Sequence, residues 1–112
     1  MANKADFKLI DISMKITNQL PKIVITDEIM VTVNNRKSTI LNIQALAKEA
    51  EKKGDDEDQI KFMTKALSLL IGEEKTNAIE ALDLPLPEYK MVYNTIMSVA
   101  TGTYGEEQTP SM

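Results

Sequence analysis

Residues 59–72, QIKFMTKALSLLIG, constrain the fold more than any other stretch of this chain. At 100° per residue, Ile60, Met63, Leu67, Leu70 and Ile71 fall on one stripe. Phe62, Ala66 and Leu69 form a second stripe beside it. The combined apolar arc is roughly 200° wide, against the roughly 100° that a surface helix needs. Lys61, Thr64, Lys65 and Ser68 fill the narrow remainder. A helix this apolar must be covered on more than one side, so the other elements are expected to pack around it.

The 112 residues suit a single domain with a modest core. Cys and His are both absent. That excludes disulfides, thiol nucleophiles, Cys/His zinc sites and histidine acid–base catalysis. The net charge is −4 and the only arginine is Arg36. A guanidinium cluster for phosphate cannot be built, and nucleic acid is not an expected partner. Residues 1–15 lack the apolar core of a signal peptide. No apolar run approaches the ~18 residues of a membrane span. The expected location is the cytoplasm, with no membrane contact.

In chain order, residues 9–17 alternate strictly. Ile10, Ile12, Met14 and Ile16 point one way, and Asp11, Ser13, Lys15 and Thr17 the other. That is the pattern of a half-buried strand. Pro21 breaks it. Two more strands are predicted at 22–26 and 29–33, joined through Asp27-Glu28 as a tight hairpin. A small antiparallel sheet follows from these, its apolar face needing cover from helices. Ser38 or Thr39 is placed to cap a helix over 39–53, with Ile40, Ile43, Ala47 and Ala50 at helical spacing, Leu46 beside them, and Gly54 as its stop. Leu41 falls off that stripe, either as a first-turn contact to the sheet or partly exposed.

The acidic run Asp55-Asp56-Glu57-Asp58 lacks the alternating ligands and central glycine of a calcium loop. It fits the positive N-terminus of the central helix, predicted over 57–71. A shorter helix over 73–83 is predicted to turn Ala78, Ile79 and Leu82 inward. The Leu84-Pro85-Leu86-Pro87 turn ends it. The last helix, over 87–101, carries Tyr89, Val92, Tyr93, Ile96, Met97, Val99 and Ala100 on its apolar arc. Lys90, Asn94, Ser98 and Thr101 lie opposite, and Met91 falls among them. The fold class is therefore α+β: a small N-terminal antiparallel sheet followed by a mainly helical, four-helix domain over residues 1–102. Residues 103–112 are expected to form a flexible tail.

No phosphate-binding glycine motif follows a strand; Gly54, Gly72, Gly102 and Gly105 each sit at a predicted element end. Carboxylates cluster at helix starts and on solvated faces. No pair is placed by pattern in an apolar pocket, as general acid–base work requires. The chain is accordingly not expected to be an enzyme, nor to carry a cofactor or metal.

The order of elements does resemble a known family. A small β-part leads into STILNIQALAKEAEKKG. An acidic linker then precedes a helix ending in ALSLLIGEEKTNAIEALDL. A Leu/Pro turn leads into PEYKMVYNTIMSVATG and a polar tail. Over residues 23–105 this is similar to the tail assembly chaperones of long-tailed phages and prophages of Gram-positive bacteria. The resemblance implies a non-enzymatic protein of the host bacterial cytoplasm. Such a protein binds the long helical tape measure protein, keeps it soluble and helps bring tail tube protein to it. Its genes often yield a second, frameshifted product with an extra C-terminal domain. A groove for an amphipathic partner helix is expected at the last helix, formed by Met91, Tyr93 and Met97 with Tyr104 from the tail. Met91 lies off the core stripe and Met97 at its edge; core packing of Tyr93 and Met97 is the competing expectation. Self-association into a homo-oligomer stays open, as does a different class: a small oligomeric structural or adaptor protein of the phage particle.

Overall fold

The computed structural model describes residues 8–104. Strands β1 (Lys22–Thr26) and β2 (Ile29–Thr32) form a two-stranded antiparallel hairpin. Four helices follow: α1 (Lys37–Lys53), α2 (Asp56–Ile71), α3 (Glu73–Ala81) and α4 (Leu86–Thr101). The architecture is the α+β arrangement that the patterning predicts.

Helix α2 is the hub, in contact with α1, α3, α4 and β2. Ala66, Leu67 and Leu70 are completely buried, and Met63 and Ile71 nearly so. Val31 and Val33 from the sheet, Ile43 from α1, Ile79 from α3, and Tyr89, Val92 and Ile96 from α4 complete the core around it. Asp55 caps α2 by accepting a hydrogen bond from the Glu57 N–H, and Asp56, Glu57 and Asp58 occupy its first turn. The acidic run thus complements the helix dipole as expected.

The hairpin pairs Lys22 with Thr32, Ile23 with Val31 and Val24 with Met30, and a bulge follows at Ile25. Val33 extends the pairing one step further, its N–H donating to the Pro21 carbonyl at 2.8 Å. The Thr26 hydroxyl accepts from the N–H groups of Glu28 and Ile29, which fixes the turn without a glycine.

Four expectations are corrected. Residues 9–17 form no strand. Ser13–Lys15 is a 3-10 turn, and Leu9, Ile10, Ile12, Met14 and Ile16 are all exposed. The Asp11 carboxylate accepts from the Ser13 N–H at 2.9 Å, and the Lys15 N–H donates to the Ile12 carbonyl. With no neighbouring strand to pair, these local bonds capture the backbone. Neither Ser38 nor Thr39 caps α1, which starts at Lys37 after Arg36, and Thr39 is buried. The turn before it is held by the Asn34 side chain, which accepts from the Arg36 N–H. Leu82 is 39% exposed because α3 ends at Ala81 and Asp83 takes a left-handed conformation. Ser98, assigned to the solvent side, is buried because the chain folds back over it: the N–H groups of Thr103 and Tyr104 both donate to its carbonyl. Leu41 is partly exposed. The predicted tail beyond Tyr104 lies outside the described residues.

Gly72 has φ 89° and ψ 155°, a region essentially reserved for glycine, and it joins α2 directly to α3. A Cβ there would meet nothing within 4 Å. Gly72→Ala is therefore expected to destabilise the fold by about 1–3 kcal/mol through backbone strain alone. Urea unfolding followed by circular dichroism checks this; an unchanged midpoint would mean that the junction relaxes freely.

Candidate functional site

The four residues expected to form a partner-binding patch divide into two pairs. Met91 is 59% exposed and Tyr104 51% exposed. Together with Pro87, Lys90, Asn94 and Thr95 they line a shallow depression of about 410 Å³ on α4. Tyr104 reaches it because residues 103–104 are tied to the Ser98 carbonyl. Tyr93 turns the other way. Its ring meets Phe62 of α2 edge-on, with centroids 6.2 Å apart and planes at 72°. Burial raises its phenol above the ordinary value. Met97 is packed against the core and also borders a second depression with Asn94, Thr101 and Thr103.

A more apolar surface lies elsewhere. Between α1 and α2 a groove of about 390 Å³ is lined by Leu46, Ala50, Ile60 and Phe62. Two further depressions adjoin it through Leu46, and both include Leu69. Ile60 and Leu69 are each 38% exposed and Leu46 is half-buried. Glu49, Lys53, Asp58, Lys61, Lys65 and Glu73 border these depressions, so the apolar floor has a rim of both charge signs. The sequence carries a signal for this groove. The apolar arc of α2 is wider than its neighbours can cover, and the Phe62–Leu69 stripe is the part left half open.

Tyr89 is the one phenol set deep among helices. Its hydroxyl shares a hydrogen bond of 3.0 Å with Thr64 of α2, and the Glu80 carboxylate of α3 acts on it electrostatically. It thus ties α4 to α2. Desolvation, reinforced by the Glu80 carboxylate, pushes its pKa up to about 12 from 10.0. A phenol so placed stays protonated at neutral pH and serves as a hydrogen-bonding strut. Among the described residues there is no group of three or more acidic side chains positioned to hold a metal. Nor, among them, is there a helix long and apolar enough to cross a membrane.

No protein family model, curated protein or solved structure matches the chain.

The Tyr89 shift has a definite sign. An unfolded chain releases the phenolic proton near pH 10, whereas the fold retains it to about 12. Stability from this group is complete below pH 10 and is lost as pH rises from 10 toward 12. Alkaline absorbance titration should show a late tyrosine step that disappears in Tyr89→Phe. The slope of stability against pH over that window should flatten in the same variant. An unaltered titration curve in Tyr89→Phe would refute the assignment.

Proposed function

We propose that this chain is a phage tail assembly chaperone that holds amphipathic segments of the tape measure protein and presents them to tail tube protein in the host cytoplasm. The observation that carries the proposal is the α1–α2 groove, where Leu46, Ile60, Phe62 and Leu69 form an open apolar floor between charged rims. Helix-in-groove recognition needs such a floor, and a rim of mixed sign can pair with the flanks of a charged amphipathic helix. The Met91–Tyr104 depression on α4 offers a second contact with an adaptable methionine. The net charge of −4 helps keep a complex with an aggregation-prone partner in solution.

The competing proposal is a small oligomeric structural or adaptor protein of the phage particle. The apolar residues left exposed between Leu9 and Ile16 favour it, because they call for cover from another chain. The two proposals differ in fate: a structural component stays in purified virions and a chaperone is absent from them.

Co-expression with the tape measure protein of the same genome, followed by size-exclusion chromatography with light scattering, tests the chaperone role. A soluble complex is expected where the tape measure protein alone is insoluble. Leu46→Lys with Leu69→Lys should abolish that complex while leaving helical content intact, since both side chains are partly open to solvent. Met91→Lys with Met97→Lys should weaken it by about tenfold, the scale of one lost rim contact. If only the α4 pair abolished binding, the partner helix would sit on α4. A tape measure protein equally insoluble with and without this chain would overturn the chaperone role.

A further inference from the structure

Residues 9–16 carry five large apolar side chains, and the fold buries none of them. Leu9 is 85% exposed, Ile10 74%, Met14 89% and Ile16 66%. These exposures leave the stretch almost entirely open to solvent. Its period-2 alternation suits a strand in a sheet and does not match a helix groove, which reads a period of 3.6.

Among the described residues, the β1 edge of the hairpin has no partner strand. The hairpin has only two strands, and β1 packs mainly against β2. Pro21 pairs with Val33 through a hydrogen bond, so alternate residues, Lys22 and Val24, turn their backbone groups to the open side. The cross-strand pair Val24 and Met30 is also apolar and exposed, at 67% and 52%. Each copy therefore holds a strand-like arm without an edge, and an edge without a strand.

The arm does not reach its own edge. Asn18 takes a left-handed conformation, φ 56°, and its side-chain oxygen accepts from Arg36 Nη1 at 3.0 Å. Pro21 is bonded to Val33. The chain between arm and β1 is thus tied down at the foot of the hairpin, and the arm does not pair with β1. Eight extended residues reach about 26 Å, longer than the roughly 17 Å of a five-residue strand.

We propose that residues 9–16 are an exchange arm: in a two-fold dimer, the arm of each copy adds as a third strand to the open β1 edge of the other. The 3-10 turn at Ser13–Lys15 opens on docking, at the expense of three exposed local hydrogen bonds. Reciprocal exchange consumes both open edges, so the assembly closes at two copies and does not propagate as a fibre. Because the exchange is reciprocal, each arm adds its buried area twice, toward the roughly 1,600 Å² of a standard interface.

Light scattering of the full chain should give twice the chain mass. Ile12→Asp with Ile16→Asp should weaken the dimer by at least about a hundredfold, because it places charges where apolar side chains are covered. Helical circular dichroism should not change, because both side chains are exposed in the single chain. The chain has no Cys, so added thiols report contacts cleanly. In a mixture of a Ser13→Cys chain and a Lys22→Cys chain, a short thiol cross-linker should join the two different chains. Three results would each overturn the proposal. They are a monomer at all concentrations, a dimer that survives the double aspartate substitution, and a cross-link that forms only when both cysteines lie in one chain.

Discussion

The fold depends on covering α2. Ala66, Leu67 and Leu70 are fully buried, and the helix that carries them is covered by α1, α3, α4 and β2 together. The sheet is joined to the same helix by backbone chemistry. The Leu70 carbonyl lies in the last turn of α2, where carbonyls lack an intrahelical partner, and it accepts the Asn34 N–H at 2.7 Å. The hairpin is thereby fixed against the helices just where its chain leaves the sheet. An isolated two-stranded hairpin is marginal in water. Here Val31 and Val33 gain their stability by joining the α2 core.

The helices were legible because each carries an apolar stripe at helical spacing and ends at a glycine or a proline turn. The boundaries at Gly54, Gly72 and Gly102 follow the sequence closely, and the hairpin strands are where alternation put them. The arm shows the limit of that method. Alternation in residues 9–17 records a preference for a strand with one covered face, but it names no partner, and the described residues of the single chain provide none. Ser98 shows a second limit. Its burial comes from residues 103–104 folding back, a non-local event that the helical pattern of α4 does not encode. Ser38 and Thr39 have the right chemistry for a cap, but the helix begins at Lys37, two residues too early for Ser38 and three for Thr39.

The candidate site was half legible. Exposure of Met91 follows from its position off the apolar stripe, and Tyr104 lies beside it. Tyr93 and Met97 lie on the stripe and are drawn into packing, as periodicity alone would place them. The α1–α2 groove was visible only as an excess: α2 carries more apolar surface than a helix with three helical neighbours and a small sheet can hide. Such an excess locates the surplus on a helix. It does not say whether a partner or the chain's own elements will cover it.

The arm and the groove are built from separate elements, and this bears on how a long partner could be held. Arm exchange uses residues 9–16 and β1, whereas the groove belongs to α1 and α2. A dimer joined through its arms would therefore leave two grooves free. A long helical partner that presents repeated amphipathic segments could occupy both at once. The second contact is then intramolecular, and avidity exceeds the affinity of either groove by about 10²–10⁴ where the spacing allows both to be engaged. Each groove can accordingly be shallow and tolerant, as an open floor around Leu46 with half-exposed Ile60 and Leu69 is. Strength would then come from repetition along the partner, while release would need only one weak contact to open at a time.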